Sequence, residues 1–250
     1  MTDATASPSL LDGAWIDPGV LAAHPDYVAV LVAASGLVPG PPSGQSEKLL
    51  LEAETAAAER LSDCEPQDLP EVMRWRHAYQ GFGVKPREAR SSVESLLRRV
   101  AGGLPRIDRL TDVYNAVSVL HLLPLGGEDL DGYAGPARLV VAAGDETFDT
   151  VADGEAVVHT TAPGEIVWRD DRGVTCRRWN WRQCTRTRLT TTTTAALFIV
   201  DGLGPDARAR GEAAAADLVE RPAPDSPGAA FATRTLGRPA GAVGSTGVSL

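Results

Sequence analysis

The sequence predicts an α/β fold, on three observations. A continuous apolar run at residues 27–32 has the character of a buried central strand. Residues 45–122 carry helical periodicity bracketed by serine and glycine end signals. From residue 137 onward the pattern changes to short apolar runs separated by Gly, Asp or Pro, as strands joined by tight turns require.

In chain order, residues 1–10 read as a flexible tail, and the strand at 27–32 follows. A Pro/Gly loop at 39–44 leads into a helix over 45–61, rich in Leu, Ala and Glu, with Ser43 or Ser46 available to cap it. A second helix covers 70–79. The third, SSVESLLRRV, starts on Ser91 or Ser92, ends at Gly102 and Gly103, and lines up Val93, Leu96, Leu97 and Val100 as an apolar stripe. A fourth, over 107–122, turns Ile107, Leu110, Tyr114 and Val117 inward and sets Asp108, Asp112 and Asn115 on another face.

Strands are expected at 138–142, 155–159, 165–168, 174–178 and 189–200, the last including a threonine run, 190–194, of high β propensity. An alanine-rich helix over 206–220 closes a single domain spanning residues 11–220. Residues 221–250, dominated by Pro, Ala, Gly and Ser, read as a flexible tail with too little apolar periodicity to offset the entropy of ordering.

Apolar residues make up 43% and charged residues 23% of the chain, the balance of a protein with a packed core. Cys64, Cys176 and Cys184 are odd in number and lack CxxC spacing, which fits reduced thiols in a cytoplasmic protein better than a zinc or redox site. The opening residues carry an acid in place of a basic leader, and no apolar run approaches the roughly 18 residues that span a bilayer, so no membrane partner is expected. GxGxxG and P-loop patterns are absent and His77, His121 and His159 are scattered, so no metal or other cofactor is expected.

A net charge of −9 speaks against a general nucleic-acid coat or a DNA partner, because sequence-independent affinity comes from Lys and Arg neutralising phosphates. Positive charge is nevertheless concentrated in two segments, 85–109 and 169–188, which hold most of the arginines. If these segments meet, a local basic surface forms on an acidic body. The plainer alternative is a set of solvated or salt-bridged arginines.

Four segments in this order carry a family resemblance: WRHAYQGFGVKPREARSSVESLLRRV from Trp75, LPRIDRLTDVYNAVSVLHLLPLGGEDLDGYAG from Leu104, PGEIVWRDD from Pro163 and CRRWNWRQCTRTRLT from Cys176. Together they resemble free-standing relatives of the tRNA-editing domain of the phenylalanyl-tRNA synthetase beta subunit, the B-three/B-four fold. The resemblance implies a mixed β-sheet flanked by helices, tRNA or aminoacyl-tRNA as partner, and hydrolysis of wrongly charged tRNA, the second-sieve solution where a first pocket discriminates too little. That domain has a histidine after a Pro-Leu pair where PLGGED here places Gly126, and a Gly-Gly-Glu resembling Trp181-Arg182-Gln183. These departures imply a substrate smaller or more polar than the tyrosine edited there.

Hydrolysis of an aminoacyl ester needs a pocket, an oriented water and donors toward the developing oxyanion. The RRWNWRQ segment offers Arg178, Asn180, Arg182 and Gln183 as donors, with Trp179 and Trp181 as pocket wall or as a stacking surface for a terminal adenosine. As an extended strand it would set Arg178, Asn180 and Arg182 on one face against Trp179, Trp181 and Gln183 on the other. The bland alternative is an edge strand with arginines in solvent and tryptophans in the core.

Asp112 and Asn115, three apart on a helix, can point together toward a water, a ribose hydroxyl or a substrate amine, or can instead bind loop backbone. Glu165 and Asp170 flank the IVW strand, Glu165 being either a site acid or a turn former. On this reading Asn180, Asn115, Glu165 and Gln183 carry catalysis, while Asp112, Trp179, Trp181, Arg178 and Arg182 hold substrate. Cys176 and Cys184 have no histidine nearby in the sequence and read as buried small side chains rather than nucleophiles. The expected function is trans hydrolysis of a misacylated tRNA or related ester by an oriented water. Its alternative is a non-catalytic module that binds tRNA or an amino-acid-like ligand.

Overall fold

The computed structural model describes residues 10–152, 154–222 and 225–237. Its strands are β1 (Trp15–Ile16), β2 (Tyr27–Ser35), β3 (Leu125–Asp129), β4 (Arg138–Val141), β5 (Thr147–Ala152), β6 (Glu155–Thr160), β7 (Ile166–Arg169), β8 (Val174–Arg177), β9 (Arg182–Gln183), β10 (Ala195–Leu203) and β11 (Ala230–Gly237). The helices are α1 (Pro18–Ala23), α2 (Gly44–Arg60), α3 (Pro70–Gly81), α4 (Ser92–Leu97), α5 (Arg109–His121) and α6 (Ala207–Glu220). This is a mixed α/β protein.

Serine caps start two of the helices as their sequences require. Ser43 accepts from the Ser46 N–H in a reciprocal capping box at α2, and Ser91 accepts from the Glu94 N–H at α4. Asp108 caps α5, taking the N–H groups of Leu110 and Thr111 at 3.1 and 2.9 Å. Ile107 therefore stands before the helix and is 56% exposed, a correction to its expected inward position.

The mixed β structure flanked by helices is present as more than one sheet. One sheet runs β1-β4-β7-β8-β9, with β1 parallel to β4 and the other pairs antiparallel. The other, β11-β2-β10-β3, is antiparallel throughout, and β5 pairs with β6 as a separate hairpin. β2 owes its unbroken apolar sequence to burial on both faces. Tyr27, Ala29, Leu31 and Ala33 join a core with Leu139, Trp168, Trp75 and Tyr79, while Val28, Val30, Val32 and Ala34 pack with Phe198, Val117 and Leu218. A third core joins α2 to α5 through Leu50, Ala53, Val72, Leu97, Val113 and Ala116.

Two further expectations are corrected. Residues 190–194 are not strand: the Thr190 N–H donates to Thr193 Oγ1 at 2.9 Å and that hydroxyl donates to Asp129 Oδ2 at 2.5 Å, so the threonines close a turn ahead of β10. The 221–250 segment is not wholly a tail, because β11 pairs with β2 from Ala230↔Ser35 to Gly237↔Val28. Residues 1–9 and 238–250, also read as tail, lie outside the described residues. Among the described residues no helix is long and apolar enough to cross a membrane.

Candidate functional site

The RRWNWRQ segment is a turn, not a strand. β8 stops at Arg177, residues 178–181 reverse the chain, and β9 resumes at Arg182, with Arg178 and Trp179 at φ 46° and 67°. Two contacts hold this left-handed backbone, which is costly for residues with a Cβ. Trp179 donates its N–H to the Ile166 carbonyl at 2.6 Å, and Glu165 accepts the Arg178 N–H at 3.0 Å. Glu165 also takes the Arg177 guanidinium through two bonds of 2.9 and 2.7 Å.

The reversal replaces strand alternation with a different division of labour. Trp179 turns into the core, its ring edge-on to Tyr27, His24 and Trp75 at centroid distances of 4.8, 5.0 and 5.2 Å. Trp181 is half-buried against the same core, with the Arg178 and Arg182 guanidinium groups 4.5 and 4.8 Å from its ring. Between them Asn180 is buried and fully oriented. Its Oδ1 accepts from the Tyr79 hydroxyl at 2.9 Å, and its Nδ2 donates to Asp201 at 3.2 Å. Its carbonyl accepts the Ser92 N–H at 3.0 Å, which joins the two arginine-rich segments at the start of α4.

Asn180 forms part of the wall of a cavity of about 280 Å³. Asn115, Gln183, Trp179 and Trp181 line the same cavity, so five of the nine expected site residues meet. Gly126 lines it too, and a Cβ built there meets nothing within 4 Å, which leaves space where a side chain would fit. Gln183 spans from β9 to β3, its Nε2 2.7 Å from both the Gly127 carbonyl and Glu128 Oε2.

The other four lie outside the cavity lining. Glu165 braces the turn, as described. Arg178 and Arg182 flank Trp181. Asp112 shares Asn115's helix but is fully buried, its Oδ1 accepting the Ile107 N–H at 2.8 Å; burial raises its carboxyl above the usual range. Asp170 serves its loop, taking the N–H groups of Ala134, Arg172 and Gly173 and a pair with Arg186 at 2.6 Å.

Two acids in the cavity were not singled out from sequence. Glu128, on β3, is pushed up to about 8 by burial, against the hydrogen bonds from Thr187 and Gln183. Asp201, on β10, is pushed up to about 7, again by burial, although Tyr27, Asn180 and Trp168 all donate to it. Glu128 sits in the PLGGED stretch, and a carboxylate amid small strand residues was the available signal. Asp201 ends the LFIVDG run, where an acid reads as a turn former. Cys176 also lines the cavity, but burial pushes its thiol well up, away from nucleophilic use. Among the described residues no group of His, Cys, Asp and Glu has the arrangement to hold a metal ion.

Fold and cavity together define an α/β domain with a largely apolar cavity whose wall carries buried amides and carboxyls. Residues 74–221 match the B3/4 domain model, more than half of the chain, and the chain belongs to the B3/4 domain family. Among solved structures, an N-terminal fragment of the phenylalanyl-tRNA synthetase beta-subunit from Pyrococcus horikoshii is similar at 12% identity and a TM-score of 0.44. The similarity covers 89% of this chain and 50% of that one, so the chain spans about half the fragment's length. No curated protein matches the sequence.

Proposed function

We propose that this chain receives the aminoacyl end of a charged tRNA in the Asn180 cavity and hydrolyses the ester in trans. The observation that carries this reading is an amide held in one orientation by Tyr79 and Asp201 beside a second amide, Asn115, with no hydrogen-bond partner among the described residues. Both line a cavity at the small end of ligand pockets, suited to an amino-acid group more than to a nucleotide.

In the proposed step the water oxygen bonds to the ester carbonyl carbon and the bond to the ribose oxygen breaks, one water proton passing to that oxygen. Asn180 supplies a fixed amide and Asn115 an unengaged one, which together orient the water and donate to the oxyanion as it forms. Gln183 fixes Glu128, and Glu165 is a positioning residue that holds the turn carrying Asn180. Trp181, flanked by Arg178 and Arg182, suits a terminal adenosine and its phosphate. Arg99, exposed on the cavity rim, adds positive charge there.

A panel of charged tRNAs tests the proposal. At least one should lose its amino acid faster with the protein than in buffer, and Asn180→Ala should slow that loss by about a hundredfold. Acceleration of none would sink the hydrolytic reading. A second reading, retention of aminoacyl-tRNA without hydrolysis, is favoured by one observation: burial keeps Glu128 largely neutral at pH 7, a poor state for a base. Tight, salt-sensitive tRNA binding without turnover would select it.

A further inference from the structure

Among the described residues the buried carboxyls divide by what faces them, Asp108 and Asp112 having no ion pair and accepting backbone N–H groups at the start of α5. Glu94, Glu165 and Asp170 each face an arginine at 2.6 to 2.7 Å. Glu128 and Asp201 have no ion pair among the described residues, and both line the cavity. The arginine whose charge acts on Glu128 is already engaged, since Arg186 pairs with Asp170 and approaches Asp149 at 3.7 Å. Burial without a counter-charge holds such an acid in its protonated form until something supplies the charge.

The two differ in their unused capacity. Both oxygens of Asp201 accept hydrogen bonds. Glu128 receives the Thr187 hydroxyl and Gln183 Nε2 on Oε2 alone, so Oε1 has no partner among the described residues. Glu128 is 2% exposed, and the unpartnered amide of Asn115 on the same cavity is 7% exposed. Two acceptor oxygens, one of them on a carboxyl, are therefore left over inside one cavity, where Arg99 at the rim is the one cationic lining residue among the described residues.

We infer that Glu128 Oε1, with Asn115 Oδ1, receives a primary ammonium group of the ligand. This rests on reading the cavity as an aminoacyl site, and it names the chemical group by which that site selects. The ammonium supplies the missing counter-charge, so the Glu128 carboxyl gives up its proton to solvent on binding and Oε1 becomes an acceptor for one of the three ammonium donors. Ligands with a hydroxyl in place of the amine, or with the amine acylated, lose that pairing. The ammonium belongs either to the α-position or to a side chain.

Three hydrolysis-proof adenosine amides, made from 3′-amino-3′-deoxyadenosine with norleucine, lysine or 2-hydroxyhexanoic acid, separate these sources by calorimetric titration of the full chain. An α-ammonium site binds the norleucyl compound about tenfold or more tighter than the hydroxyhexanoyl one. A side-chain site prefers the lysyl compound and binds the other two alike. Glu128→Gln should erase whichever preference exists. Because that change also touches the Thr187 bond, Asn115→Ala provides a second variant at an amide with no protein partner, and it should reduce the preference several-fold. Equal binding of all three compounds, or binding of none at millimolar concentration, overturns the inference. Deacylation without an ammonium preference would overturn this inference alone, and an ammonium preference without deacylation would overturn hydrolysis alone.

Discussion

Asp201 closes a hydrogen-bonded chain that runs from Tyr79 through Asn180 to Tyr27, and its titration links the cavity to stability. Burial raises its carboxyl from 3.8 to about 7 in the folded protein. The unfolded chain releases this proton near pH 4 and the folded chain near pH 7, so the stabilisation is whole below about pH 4 and lost as the pH rises through 7. Glu128, raised from 4.5 to about 8, extends the loss in the same direction. The free energy of urea unfolding should therefore fall between pH 5 and pH 8 by on the order of a few kcal/mol. Asp201→Asn should flatten that slope. Parallel slopes for the two proteins would show that Asp201 is already ionised at pH 5.

At the scale of elements, the β8–β9 turn depends on Glu165, which the sequence leaves open as a site acid or a turn former and which fastens the hairpin. Its carboxylate is buried and serves three donors, the Arg177 guanidinium and the N–H groups of Arg178 and Ala162. Glu165→Ala leaves the arginine without its partner and the turn without its brace, so stability should fall by about 3–5 kcal/mol. Arg177→Ala should cost a similar amount, and the double variant clearly less than the sum, as for two halves of one contact. Additive losses in urea midpoints would show the pair to be incidental. The same turn explains what the sequence could and could not reveal. Residue type marked Asn180, Trp179 and Trp181, because compact amide and aromatic clusters suit a pocket. Their geometry was hidden, since Arg178 and Trp179 adopt positive φ without the glycine or asparagine that usually signals it. Serine caps at Ser43 and Ser91 were legible because capping is local. The threonine run was misleading for the opposite reason: its hydroxyls close a turn through Asp129, a contact 64 positions away.

For the whole molecule, composition and topology disagree at the C-terminal end. Residues 221–250 have the Pro, Ala, Gly and Ser content of a tail, yet 230–237 form an edge strand of the four-stranded sheet. Local propensity is weak there, and order comes from a preformed template: the full length of β11 pairs with β2, a strand buried on both faces. Leu236 joins the core between the sheets, and the Arg234 side chain donates to the Leu11 carbonyl. The segment before the strand is also tied in, since Ser43 donates to Asp225 at 2.6 Å and the Val38 N–H donates to Ser226 at 2.9 Å. A chain ending at Gly228 would expose the hydrogen-bonding edge of β2, an apolar strand with nothing to blunt it. Leu236 alone is worth about 2–5 kcal/mol if truncated to alanine. The shortened protein should therefore melt at least about 5 °C lower than the full chain. It should also self-associate on size exclusion, with the β2 edge as the contact. An unchanged melting temperature and a monomeric profile would mean that β11 is dispensable to the sheet it borders.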